Sequence, residues 1–371
     1  MSNSKEQEHG TIFSWHDAWY LTYGIVMFLI LSIGFIGNAL TVLILRKPEH
    51  VRKALTPLMI NLSIGSLIII VLGYPVVMTL LLTGGQVGED DPTCRWNAFI
   101  NGTVGISGII TLTEMSLVIN YSLHKANPNV RLSNKKIGWL IAGSWFYGLL
   151  FMSPPLIGWS RFAPGAARIS CGPDWTDKST SGMTYSLVLV VVGFFLPLSV
   201  MCRAYYGIYR LLRRELFTPE NRDFRLRQKL YMTKVVRMTV TAIIVFMLSW
   251  SPYCFVSIAA VFKGSHVFNS GEAEIPELMA KASVIYNPIV YVAMNDRFRG
   301  SLTRLISCKI HSSVAPVRRN ISPRTYCENI EYQDGNDRVN KRRRHVAFVV
   351  KPLKKRDSFT GMYVVDIAQV S

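Results

Sequence analysis

Long apolar runs dominate the chain. Residues 18–45, 54–88, 137–160, 179–202 and 238–262 contain no Asp, Glu, Lys or Arg, and each exceeds the roughly 20 helical residues that cross a bilayer core. Two further apolar segments, near 96–122 and 275–295, are interrupted only by Glu114 in the first and by Glu277 with Lys281 in the second. The pattern predicts an all-α membrane protein, a seven-transmembrane helix bundle over residues 19–296. The opening MSNSKEQEHG lacks the apolar core of a cleavable signal peptide, so the first span is expected to serve as its own insertion signal. After the seventh run, NDRFRGSLTRLISC (295–308) places an aromatic residue and leucines at helical spacing among arginines. That suits a short amphipathic helix on the membrane lipid of the inner leaflet, over 297–309. Beyond residue 310 hydrophobicity falls, and a disordered basic tail is expected over 310–371.

Composition agrees with this partition: 50% of the residues are hydrophobic and 17% charged. The formal net charge of +18 is concentrated late, with sixteen Lys/Arg against six Asp/Glu in residues 297–371. Seven spans place the termini on opposite sides, and the positive-inside rule puts this basic tail in the cytoplasm and residues 1–18 outside the cell membrane. Nucleic acid is not an expected partner, since a multi-pass membrane protein offers no route to it. Of six cysteines, only Cys94 and Cys171 fall in expected extracellular positions, where an oxidising compartment favours one disulfide. Cys308 closes the amphipathic stretch, either as a palmitoylation site or as a plain cysteine.

Helix-breaking and polar residues recur inside the runs in a fixed order. These are Gly37-Asn38, Trp145 with Pro154-Pro155 and GWSRF (158–162), Pro197 before Tyr205, SWSPY (249–253), and NPIVY (287–291) followed by NDRFR. Together, over roughly residues 19–310, they resemble the rhodopsin-like G-protein-coupled receptors. Within that family the chain looks like an animal opsin. Lys281 stands six residues before Asn287, the spacing at which opsins attach retinal, and CGPDW (171–175) resembles the opsin plug over the chromophore. The local physics agrees. Lys281 is ten residues before Tyr291, about 15 Å along a helix, near mid-membrane. An intramembrane lysine marks function by default, and a desolvated amine condenses readily with an aldehyde. A structurally paired lysine, or one wetted in an ordinary ligand pocket, is the bland alternative.

The resemblance implies a receptor rather than an enzyme, a light-activated photoreceptor carrying 11-cis-retinal as a protonated Schiff base on Lys281. Trp250, under the ring in this family, would yield on isomerisation, with Tyr253 beside it in the pocket wall. Both aromatics also suit plain core packing. The kink at Pro252 would swing helix six outward while Asn287, Pro288 and Tyr291 rearrange. Implied partners are a heterotrimeric G protein, with arrestin and a receptor kinase acting on Ser/Thr of the tail. A retinal photoisomerase with little signalling is the alternative.

The chain also departs from the opsin pattern. A buried protonated Schiff base needs a nearby anion, and opsins supply it three residues after the helix-three cysteine or six before the loop cysteine. Here those positions hold Asn97 and Gly165, a departure that resembles divergent invertebrate lineages such as the cnidarian ones. Three substitutes stay open: Glu277, at i−4 from Lys281 on the same helix face; chloride held by Asn97; or a deprotonated pigment. Pro276 suggests the first turn of a helix, where Glu277 would face water. Glu114 lies about 30 Å from Cys94 and is too deep. At the foot of helix three, VINYSLHK puts Asn120 or Ile119 where the family has arginine. The acid often found opposite, on helix six, is replaced near Met232.

Overall fold

In the computed structural model, residues 15–51, 53–89, 91–124, 132–214, 222–268 and 270–314 are described. The expected N-terminal segment lies mostly outside them, as does the tail from residue 315. Among the described residues, five helical stretches are long and apolar enough to cross a membrane: Leu21–Leu45, Thr56–Thr83, Pro92–His124, Thr180–Arg213 and Met232–Lys263. Asn134–Met152 and a paired helix, Ser270–Lys281 with Ser283–Met294, complete seven spans. A helix at Asp296–Val314 follows. The chain through Leu305 is one compact unit, and a second begins at Ile306.

The apolar residues divide between core and periphery. Met27, Ile44, Leu58, Leu112 and Met115 are buried, whereas Phe28, Ile36, Phe146, Leu248 and Phe255 are largely exposed. An exposed apolar girdle is what a lipid-facing surface requires. The third span has 72% of its apolar window buried, against 33–39% in the other four. It is the central helix, which accounts for its many small and polar residues.

Prolines in the spans create free carbonyls, and neighbours claim them. Pro288 has no N–H for the carbonyl of Val284, and Asn38 of the first span donates Nδ2 to that oxygen at 2.8 Å. Gly37 permits the approach, since a Cβ there would sit 3.0 Å from the Pro288 ring. Pro252 likewise frees Leu248, whose carbonyl accepts from Ser251 at 3.4 Å. In the second span a π-helical turn at Ile69–Gly73 presents the carbonyls of Leu72 and Gly73 to Trp96 and Asn97 of the third. The Gly37-Asn38 and NPIVY motifs are therefore two halves of one helix–helix joint.

The only sheet among the described residues is a hairpin, Phe162–Pro164 antiparallel to Cys171–Pro173. The Cys94–Cys171 disulfide ties it to the head of the third span. The Val87 amide donates to the Arg168 carbonyl at 2.8 Å, and Arg168 itself sits at φ 57°.

Candidate functional site

The seventh span breaks where the chemistry lies. Its upper helix ends at Lys281 and a new one begins at Ser283. Two carbonyls of the break accept side-chain hydrogen bonds, Met279 from Ser249 and Lys281 from the Tyr74 hydroxyl at 3.1 Å. A single alanine separates the segments, and these two bonds tie the break to the second and sixth spans.

Lys281 is 5% exposed and pairs with Glu277, whose side chain is 19% exposed. Its Nζ also lies 3.4 Å from the Tyr23 hydroxyl of the first span. The second carboxylate oxygen of Glu277 accepts from Ser170 at 2.6 Å. Burying an ammonium is costly unless it is paired and its remaining protons are satisfied, and Glu277 with Tyr23 supplies that arrangement. The upper helix begins at Ser270, six residues before Pro276, contrary to the expectation that Pro276 opens it. Glu277 is therefore not in a wetted first turn but inside the bundle beneath the hairpin. The SGEAE lead-in has no apolar period that would have revealed the earlier start.

Lys281 and Glu277 border a largely apolar cavity whose lining includes Gly105, Cys171, Phe246, Trp250 and Tyr253. Trp250 stacks on Phe246 at 5.8 Å and meets Tyr253 edge-on at 6.2 Å. The hydroxyl of Tyr253 accepts from Trp175 Nε1 at 3.0 Å, which fastens the sixth span to the CGPDW loop. Gly105 leaves room for the indole, since a Cβ there would lie 2.8 Å from Trp250. The hairpin covers one end of the cavity through Cys171, Gly172 and Pro173. An elongated apolar molecule with an aldehyde at one end fits this lining, aromatic along its length with a single amine.

Asn97 is placed elsewhere. Its Nδ2 donates to Gly73 at 2.7 Å, and its Oδ1 accepts from Asn101 at 3.1 Å and from the Cys171 amide at 3.4 Å. It braces the disulfide and is not among the cavity-lining residues. Glu114 is buried in the third span and is also absent from that lining. Asn287 borders a smaller, deeper cavity with Asn61, Trp145 and Trp250. Tyr291 packs against Phe298 at 6.1 Å between ring centres. Pro252 lies within the long sixth helix, Arg222–Lys263. The backbone of Cys308 is helical, but its side chain lies outside the described residues.

Two residues escaped the sequence reading. Glu274 is 1% exposed, and the Tyr23 hydroxyl and the Ala167 amide hydrogen-bond it. Its spacing, i−3 from Glu277 and i−7 from Lys281, was the available signal. Tyr23 carried none, being one aromatic in an apolar span. Gly165 proves informative as well. A Cβ built there would lie 3.6 Å from a Glu274 oxygen and 3.7 Å from a Glu277 oxygen. The space beside a loop acid is thus already occupied by acids from the seventh span.

This is a multi-pass membrane protein with a pocket in the half that carries the hairpin. The family profile "7 transmembrane receptor (rhodopsin family)" matches residues 37–291. Among similar proteins, a melanopsin-like protein of Danio rerio is 30% identical over 76% of this chain and 58% of its own length. The visual pigment-like receptor peropsin of Mus musculus is 28% identical over 85% of this chain and 97% of its own, and pinopsin of Columba livia is 25% identical over 79% and 82%. This chain thus spans less than two thirds of the melanopsin-like protein. The fold is that of squid rhodopsin, with a TM-score of 0.71 and 21% identity over 88% of this chain and 92% of that one. The chain belongs to the rhodopsin family of seven-transmembrane receptors and, within it, to the animal opsins.

Proposed function

We propose that the protein is a light-sensing receptor that holds 11-cis-retinal covalently on Lys281 as a Schiff base and activates a G protein. The observation carrying this reading is one buried lysine, ion-paired to Glu277, in the wall of an aromatic cavity capped by a disulfide-anchored hairpin. Retinal supplies the light-absorbing polyene and the aldehyde that condenses with the amine. The chain does the rest. Glu277 holds the compensating negative charge, with Ser170 orienting its carboxylate. Trp250 and Tyr253 line the polyene, and Asn287, Pro288 and Tyr291 form the joint that rearranges when span six bends at Pro252. Chloride is the second anion the sequence allows. The commitment of Asn97 to Gly73, Asn101 and Cys171 favours Glu277.

The positive-inside rule supports an N-terminus outside the cell membrane and a basic tail inside, which would offer Ser/Thr to a receptor kinase and arrestin. Cys308 is the palmitoylation candidate beside the inner leaflet. Asn120 at the foot of span three supports a second reading, a retinal photoisomerase with weak signalling, because no arginine is there to engage a G protein.

The test is reconstitution of the purified chain with 11-cis-retinal, followed by spectra in chloride and in chloride-free buffer. Wild type is expected to form a pigment and Lys281→Ala none, while Glu277→Gln displaces the band. A normal pigment with Lys281→Ala would overturn the attachment site. A band indifferent to both Glu277→Gln and chloride would remove both anions. Light-dependent nucleotide exchange then separates receptor from isomerase.

A further inference from the structure

We propose that Glu274 is a second acid of the counterion site, sharing one proton with Glu277 beside the Lys281 nitrogen. The inference rests on the retinal reading above and adds a residue to it.

Glu274, Glu277 and Lys281 share one helix face at i, i+3 and i+7. The Tyr23 hydroxyl bridges Glu274 and Lys281, since it hydrogen-bonds Glu274 and lies 3.4 Å from Lys281 Nζ. Glu274 is 1% exposed and its Oε2 has no hydrogen-bond partner. An ionised carboxylate is expensive to bury with one oxygen bare. Two ionised carboxylates against one cation would also leave a net negative charge in a region of low dielectric. Carboxylates that share a site resolve this by holding one proton between them and titrating as a pair.

The surroundings add little to balance that charge. Around the pair stand Tyr23 from the first span, Tyr74 from the second and Tyr253 from the sixth. Ser170 and the Ala167 amide come from the loop. Glu274 and Glu277 also line a small second cavity with Asp174 and His266, but Asp174 is already matched to Arg161 at 2.8 Å. That cavity lies on the hairpin side and gives the shared proton a route away from Lys281. When Glu277 is neutralised, the proton on Glu274 leaves to solvent and Glu274 takes over the negative charge.

The experiment compares full-length pigments of wild type, Glu274→Gln, Glu277→Gln and the double variant by visible titration. Infrared spectra of the retinal-free proteins are recorded alongside. Glu277→Gln alone is expected to retain a protonated pigment, while the double variant loses it. Glu274→Gln should lower the pH at which the visible band disappears by about one unit or more, a tenfold change in proton affinity, and remove a carboxylic-acid C=O band from the apoprotein spectrum. If Glu274→Gln fails to fold, Tyr23→Phe must move the titration in the same direction, and Glu274→Asp must keep the infrared band. The proposal falls if Glu277→Gln loses the pigment as completely as the double variant, or if Glu274→Gln leaves both titration and infrared band unchanged. A wild type that forms no pigment would sink the retinal reading instead, and the apoprotein infrared band would still judge the proton on Glu274.

Discussion

At the residue scale, the most consequential side chains answer a partner deleted elsewhere. Asn38 donates to the carbonyl that Pro288 leaves free, and it is completely buried. Asn38→Ala would strand that carbonyl, at a cost of about 1–3 kcal/mol. A drop of several degrees in the melting temperature of the purified protein is the expected outcome, and Asn38→Asp, which accepts but does not donate when ionised, should not restore it. The same logic applies at Gly165. The contacts around its built Cβ are ordinary in length, so Gly165→Ala should leave stability nearly unchanged. Gly165→Asp would add a third carboxylate beside Glu274 and Glu277 and should destabilise the apoprotein, as thermal unfolding of the two variants would show.

At the scale of elements, the loop between the first and second spans is fastened to the start of the last helix through a buried histidine. His50, in the short helix Pro48–Val51, sits 2.9 Å from Ser301 through Nε2 and 3.2 Å from Lys53 through Nδ1. Ser301 in turn donates to Glu49. Burial first, and then the Lys53 charge, push the His50 imidazole down to about 4. The unfolded chain binds that proton at the ordinary value of about 6.5. The neutral ring therefore contributes in full above pH 6.5, and its contribution drains away as pH falls toward 4, at no more than about 1.4 kcal/mol per pH unit. Melting temperatures at pH 7.5 and pH 5 should differ more for wild type than for His50→Gln. Equal differences would show that the junction does not sense the proton.

Much of this element-level arrangement is legible in the sequence, because a lipid-facing helix must be apolar for about 20 residues. Runs of that length admit few readings. The lysine and Glu277 stand out for the same reason, each being costly in its run. What stays hidden are features decided by packing between distant segments. A three-residue strand such as Phe162–Pro164 carries no period, and the π-helical turns at Ile69–Gly73 and Val191–Phe195 leave no compositional trace. Glu274 is polar in a polar lead-in, and only the fold shows that hairpin and first span bury it. Gly165 reads as a lost acid in the sequence. In the fold it is the room that the seventh-span acids occupy.

At the scale of the whole molecule, the Lys281 pocket and the opposite end of the bundle are joined by the sixth span, whose far end is held by apolar packing beside one exposed ion pair, Lys234 with Asp296 at 3.1 Å. Met232 is buried in one apolar cluster with Val118, Ile119, Met238 and Tyr291, in the region where the family pairs an arginine with an acid. A hydrophobic contact is lost when the helix swings away, so it biases the closed arrangement by the area it buries. Met232→Ala removes part of that bias. A shift of about 1.4 kcal/mol moves a two-state equilibrium tenfold, so nucleotide exchange on the G protein proposed as partner should rise about tenfold in the dark. Light should add correspondingly less. Replacing the cluster by charges, with Asn120→Arg and Met232→Glu together, should act oppositely and lower dark exchange, whereas either charge alone should destabilise the closed state. If dark exchange is unchanged in Met232→Ala while melting temperature falls, the methionine packs equally in both states. The latch would then have to be sought among the other members of the cluster.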